Sequence, residues 1–324
     1  MTKRTSSAVA SPNIALIKYW GNRDHELRLP SNGSISLTLG GLETRTTVTF
    51  DETLPFDCLT VDGSQPNNSA LVRVSEHLDR IRQLAGIHTP ARVESRNNFP
   101  AGVGIASSAS AFAALTLAGT AAADLSLNPK ELSRLARLGS GSACRSIFGG
   151  YVEWYAGETH ADSHAEPLAP PEHWDLIDLI AVISREHKGI GSTQGHTLAD
   201  TSPLQSARVT DALRRLNICR DALLHRDFPT LASIVEQDNN LMHAVMFTSI
   251  PALIYWLPTT IEVMQAVTTW RAEGLEVCYT IDAGPNVHCL CTKQHADQVE
   301  ERLSHLTGGI DLLRAHPGGP ASVI

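Results

Sequence analysis

The sequence predicts an α+β fold, and three observations carry that expectation. Alternating polar and apolar residues over 34–39 and 46–50 read as half-buried strands early in the chain. Amphipathic helical spacing dominates 206–224, 228–237 and 259–273 later on. Strand runs and helix runs are thus segregated, where a doubly wound sheet would alternate them. The chain's 324 residues suffice for two lobes.

The remaining elements follow in order. Residues 71–84 carry apolar positions at helical spacing with Arg73, Arg80 and Arg82 among them, and 91–95 read as a strand. Asn128-Pro129 is a helix start, an N-cap followed by proline in the first turn; that helix runs toward Leu138 and stops at Gly139-Ser-Gly-Ser142. A strand is expected at 151–155, then a surface loop over 157–174, rich in His, Glu, Pro and Ala. The apolar strand 177–184 opens a second lobe, dividing the chain into 1–176 and 177–324. Strands at 277–281 and 287–291 flank Asp282-Ala-Gly-Pro-Asn286, and 298–306 closes as a helix.

Composition narrows the function classes. Hydrophobic content of 42% and charged content of 19% are ordinary for a globular protein. A net charge of −8 argues against a broad nucleic-acid surface but leaves room for a small anion held by local positive charge. Residues 1–11 lack the apolar core of a signal peptide, and 109–125 are too short and too weakly apolar to span a bilayer. The six cysteines are scattered without a C-x-x-C pair, which points to reduced thiols in a cytoplasmic protein.

Residues 97–109, Asn-Asn-Phe-Pro-Ala-Gly-Val-Gly-Ile-Ala-Ser-Ser-Ala, are the most informative stretch. Gly102 and Gly104 free the backbone, and Ser107-Ser108 open an alanine-rich helical pattern. Unpaired N–H groups and the helix dipole favour phosphate there. The stretch has neither the Gly-Lys-Ser/Thr of a Walker loop nor the third glycine of a dinucleotide fingerprint. A glycine turn before a buried alanine helix also arises from packing alone. Other glycine-bearing polar segments lie at 13–24, 139–146, 191–195 and 282–286, as loops that carry sites do. Within them Arg145 can fork onto a carboxylate or phosphate, Asp282 can orient a hydroxyl or act as a base, and Lys18 can stabilise charge near phosphate. His160 and His164 are spaced like metal ligands, but no third patterned ligand follows, and a solvated loop is expected.

Taken together and in this order, Asn13-Ile-Ala-Leu-Ile-Lys-Tyr-Trp-Gly21, 97–109, Gly139-Ser-Gly-Ser-Ala-Cys-Arg-Ser146, Gly191-Ser-Thr-Gln-Gly195 and Asp282–Asn286 resemble the mevalonate diphosphate decarboxylase family of the GHMP kinase superfamily. The likeness covers nearly the whole chain. It implies a two-lobed fold whose deep cleft takes ATP, Mg²⁺ and a phosphorylated mevalonate, commonly as a homodimer. It also implies roles by matching position. Asp282, Lys18 and Thr193 form the catalytic group, and Ser140, Ser142 and Arg145 hold the carboxylate end. Tyr19, Arg73 and Ser192 bind the 5-phosphoryl end. Ala101, Gly102, Gly104 and Ile105 receive the nucleotide phosphates with Ser107 and Ser108, which also serve the metal. One departure stands out: the family motif continues Trp-Gly-Lys, and here that position is Asn22. Losing an ammonium penalises a diphosphate more than a monophosphate, so mevalonate 5-phosphate is the expected substrate and the 5-diphosphate the alternative. A kinase of the same superfamily without decarboxylation, or a non-catalytic ligand sensor, are further readings.

Overall fold

The computed structural model describes residues 3–100, 107–186, 190–306 and 311–324. In the first half run β1 (Arg4–Ala10), β2 (Asn13–Ile17), the short pair β3 (Asn22–Asp24) and β4 (Leu29–Pro30), β5 (Ser34–Gly40), β6 (Thr44–Phe50) and β7 (Cys58–Val61). They are followed by α1 (Asn68–Ala85), β8 (Ala91–Asn97), α2 (Ser107–Ala122), α3 (Pro129–Gly139), a 3-10 segment Gly141–Ile147, β9 (Tyr151–Trp154) and β10 (Ala165–Ala169). The second half holds β11 (Leu176–Val182), α4 (Ser192–Leu198), α5 (Gln205–Thr210), α6 (Ala212–His225), α7 (Phe228–Thr248) and α8 (Pro258–Ala272). It ends with β12 (Val277–Thr280), β13 (Val287–Thr292), α9 (Lys293–Leu306), β14 (Asp311–Pro317) and β15 (Ser322–Val323). Helices and sheets are segregated, as the pattern predicts.

One sheet has the order β15-β1-β6-β8-β7. Along β6 and β8 alternate residues are buried, so one face packs on the core and the other faces water. Helix α2 lies on that apolar face. Its alanines allow close approach, and its buried Thr116 and Thr120 hydroxyls donate one turn back to the carbonyls of Phe112 and Thr116 at 2.6 and 2.7 Å. Helix α3 starts as expected: Asn128 and Glu131 cap each other's backbone N–H groups.

The second sheet runs β10-β9-β5-β14-β11-β13-β12, with β2 on the other edge of β5. Strand β14 joins the halves, pairing with β11 over Asp311–Ala315 and with β5 through His316↔Gly40 and Pro317↔Leu39. Strand β5 is buried on both faces, which its alternating sequence does not disclose.

Three readings need correction. The segment 13–24 is not wholly a loop, because Asn13–Ile17 form a fully buried strand whose polar Asn13 is satisfied internally and Asn22–Asp24 form another. Within the expected loop 157–174, Ala165–Ala169 add a strand to β9, since the backbone pairs although Pro167 breaks the apolar pattern. Helix α7 continues well past Gln237, because Asp238 and Asn239 are buried and hydrogen-bonded instead of marking a solvated end. His160 accepts from Arg137 at 2.7 Å and His164 meets Glu166 at 3.1 Å.

Candidate active site

A cleft of about 830 Å³ gathers most of the residues singled out in the sequence: Lys18, Tyr19, Arg73, Ser107, Ser108, Ser140, Ser142, Arg145, Ser192, Thr193 and Asp282 all line it. Asn22 does not line it but stands behind Tyr19, whose hydroxyl donates to the Asn22 Oδ1 at 2.5 Å. Ala101, Gly102, Gly104 and Ile105 lie outside the described residues.

Lys18 follows the last residue of β2. Its backbone N–H donates to Asp238 at 2.6 Å, and its carbonyl accepts from Asn32 at 3.0 Å and from Arg208 at 2.8 Å. With its backbone fixed, the buried ammonium reaches the Asp282 carboxylate at 2.7 Å. Asp282 is held from the other side by helix α7. Asn239 accepts the Ile281 N–H at 2.7 Å and His243 meets the Ile281 carbonyl at 3.3 Å, two side chains one helical turn apart. Burial works to raise the Asp282 pKa, but the Lys18 ammonium outweighs it and holds the carboxyl below its usual range. Burial pushes Lys18 down from its ordinary value, and Asp282 opposes that shift.

Arg145 is 3% exposed and sits in the 3-10 segment. Its guanidinium donates to Asn13 Oδ1 at 2.9 and 3.1 Å and to Ser34 Oγ at 2.6 Å, all neutral acceptors. Among the described residues it forms no ion pair. A buried cation with only neutral partners suits an anionic ligand. Ser140 caps α3 and its hydroxyl lies 3.3 Å from that of Ser108 in the first turn of α2. Tyr19 packs onto Gly141, where an added Cβ would fall 2.5 Å from the ring, so only glycine fits.

Six cleft residues were missed in the sequence: Arg28, Asn67, Ser69, His196, Thr197 and Met242. His196 stacks on Tyr19 at 4.1 Å between ring centroids and accepts the Gly21 N–H at 3.0 Å through Nδ1. Burial pushes it down to about 3, so it is neutral at physiological pH with its proton on Nε2. Its place after the glycine of 191–195 was the available signal. Arg28 had none, being one of several charges in a polar hairpin. Arg23, by contrast, is exposed and donates to the backbone carbonyls of Ala156 and Gly157, away from the cleft.

Lys18, Arg28, Arg73 and Arg145 face the cleft with Asp282 as the one lining carboxylate among the described residues, a local positive field in an acidic chain. The segregated α+β architecture and this cleft fit the two-lobed, nucleotide-using enzyme class that the motifs resemble. Comparison with known proteins agrees. The family model of the diphosphomevalonate decarboxylase-like N-terminal domain matches residues 10–165, and that of the mevalonate 5-diphosphate decarboxylase C-terminal domain matches 178–315. The chain is 38% identical to the diphosphomevalonate decarboxylase mvd1 of Aspergillus fumigatus, over 94% of this chain and 80% of that one. It is 34% identical to the phosphomevalonate decarboxylase of Haloferax volcanii, over 98% and 97% of the two chains. A solved structure described as MDDEF in complex with MVAPP, AMPPCP and magnesium superposes with a TM-score of 0.94 at 38% identity, covering 100% of this chain and 99% of the other. The chain therefore belongs to the mevalonate (di)phosphate decarboxylase family and is an ATP-dependent carboxy-lyase of the mevalonate pathway.

Proposed function

We propose that this enzyme converts mevalonate 5-phosphate to isopentenyl phosphate, with ATP as phosphoryl donor and Mg²⁺ accompanying the nucleotide. The observation that carries the choice of substrate is Asn22. Where the family motif has a lysine, this chain places a buried amide that spends its oxygen on the Tyr19 hydroxyl. That corner of the site is one positive charge short of what a diphosphate would meet.

The cleft chemistry follows from its residues. Asp282 orients the 3-hydroxyl toward the γ-phosphoryl group. A carboxylate held below its usual range is a weak base, so it takes the proton late, as the forming P–O bond acidifies the hydroxyl. Lys18 balances charge on the transferring phosphoryl oxygens, and Thr193, in the first turn of α4, helps fix them. Ser107 and Ser108 would hold the nucleotide phosphates and Mg²⁺, which would neutralise phosphate charge when bound. Arg145 with Ser140 and Ser142 holds the substrate carboxylate. The C3–O bond then breaks with its electrons leaving on phosphate. The carboxylate departs as CO₂, and the C–C bonding pair closes the alkene. Ser192 and Tyr19 face the 5-phosphoryl end.

A second reading, turnover of mevalonate 5-diphosphate, is favoured by the names of most relatives, of which Aspergillus mvd1 is one. Parallel measurement of kcat/KM on mevalonate, its 5-phosphate and its 5-diphosphate, with CO₂ and ADP release both followed, separates the readings. The expected outcome is a preference for the monophosphate; a strong diphosphate preference overturns it. ADP without CO₂ would indicate a simple kinase, and Asp282→Ala should abolish both products while ATP still binds. The proposal extends to a cytoplasmic homodimer, tested by light scattering in solution. It also extends to a lobe boundary at 176/177, which lies between the two matched domain models.

A further inference from the structure

The end of helix α3 holds two arginines that come from different parts of the chain. Arg28, in the β3–β4 hairpin, donates through Nε to the Leu138 carbonyl at 3.0 Å. Arg73, on α1, donates through Nη2 to the carbonyl of the next residue, Gly139, at 3.2 Å. Leu138 and Gly139 are the last residues of α3, where carbonyls lack helical partners, so both guanidiniums are anchored at the same helix end. Both side chains line the cleft. Burial pushes each arginine down from its ordinary pKa, and the Arg28 charge adds to that shift at Arg73. Neither forms an ion pair among the described residues; Glu76, one turn along α1 from Arg73, bonds to neither. Arg73 Nε is buried without a hydrogen-bond partner, and the Nη groups of Arg28 donate to no described residue. Arg28 also holds a left-handed backbone conformation at φ 49°, unusual for a side chain of its size.

We infer that Arg28 is a specificity-determining residue that binds the 5-phosphoryl group of the substrate together with Arg73. This inference rests on the decarboxylase reading above for the identity of the ligand. Two helix-anchored guanidiniums with donors to spare match a phosphate dianion in both charge and geometry. Arg28 stands with Arg73 at the end of α3 and would serve a phosphoryl group common to both phosphorylated mevalonates, so it does not stand in for the ammonium absent at Asn22. Arg23, the nearer arginine in sequence, points elsewhere.

Calorimetric binding of mevalonate 5-phosphate, 5-diphosphate, unphosphorylated mevalonate and ATP to wild type, Arg28→Gln and Arg28→Lys tests this. Arg28→Gln should weaken the phosphorylated mevalonates by roughly 10- to 100-fold, the worth of one charge-assisted hydrogen bond. ATP and mevalonate affinities should stay within about twofold, and in turnover the loss should fall on KM rather than kcat. Arg28→Lys should recover part of the affinity. Unchanged affinity for the phosphorylated substrates in Arg28→Gln overturns the inference, as does an equal loss for ATP. A matching loss in both variants with a lowered melting temperature also overturns it, marking Arg28 as only a cap on α3. Wild type that binds both phosphorylated mevalonates through Arg28 but turns over only the 5-diphosphate would sink the monophosphate reading and leave this one standing.

Discussion

Asp238 binds the backbone of Lys18, not its ammonium: the carboxylate accepts the Lys18 N–H at 2.6 Å, while the side chain turns to Asp282. Asp238 is fully buried and its other oxygen takes Arg215 Nε at 2.7 Å. Arg208 stands 3.9 Å away and spends its donors on the carbonyl of Lys18 and on Asn32. Asp238→Ala therefore strips the buried Arg215 Nε of its carboxylate, leaving only the half-exposed Asp211 on Nη1, and frees the residue that aims the ammonium. Breaking such a pair should destabilise the fold by about 3–5 kcal/mol. Denaturant unfolding reads that loss.

The Lys18–Asp282 pair fixes the pH dependence of the reaction. Asp282 acts as a carboxylate, and its pKa is held below the ordinary value, so kcat/KM should fall on the acid side only below the usual carboxylate range. Lys18 is pushed below its ordinary 10.5, so the alkaline limb should begin earlier than for a free lysine. Lys18→Met removes the charge that holds Asp282 down and leaves burial to raise it. The Asp282 titration should then move above the usual range, visible by carbon NMR of labelled aspartate even where turnover is lost. An unmoved titration would contradict the pairing.

Asn22→Lys should swing selectivity toward the diphosphate. The new ammonium adds about 1.5–3 kcal/mol of charge-assisted hydrogen bonding to a ligand bearing the extra phosphate. It also deprives the Tyr19 hydroxyl of its acceptor, since a lysine donates only. The ratio of kcat/KM for the two substrates is the measure, and it should rise by one to two orders of magnitude, roughly the same free energy.

Gly141→Ala should damage both the fold and the site. Its Cβ would lie 2.5 Å from Cε1 of Tyr19 and 2.7 Å from the hydroxyl oxygen. Such overpacking costs about 1–3 kcal/mol unless the ring moves. Movement would break the Tyr19–Asn22 hydrogen bond and the stack on His196, so KM for the phosphorylated substrate should rise with the loss of stability.

What the sequence disclosed depended on whether the signal was local. The capping box at Asn128 and the alternation along β6 are short-range and were legible. Lys18, Arg145 and Asp282 could be singled out because each sits in a distinctive segment, and the fold brings them into one cleft. Burial of polar side chains was not legible. Asp238 and Asn239 looked like the end of a helix because their partners, Arg215 and the Ile281 N–H, are remote in sequence or across the fold. Arg28 escaped for a similar reason: its meaning lies in the Leu138 carbonyl, 110 residues away.

Strands β14 and β15 have a consequence for how the molecule is made. Residues 311–323 complete both sheets, bridging β5 to β11 and covering β1. Every other strand and helix described precedes them in translation order. Until they emerge, β1 and β11 each present an unpaired edge, open to pairing with another chain. A ribosome stalled before Asp311 would hold a chain with two adhesive borders, so the closing strands serve biogenesis as much as architecture.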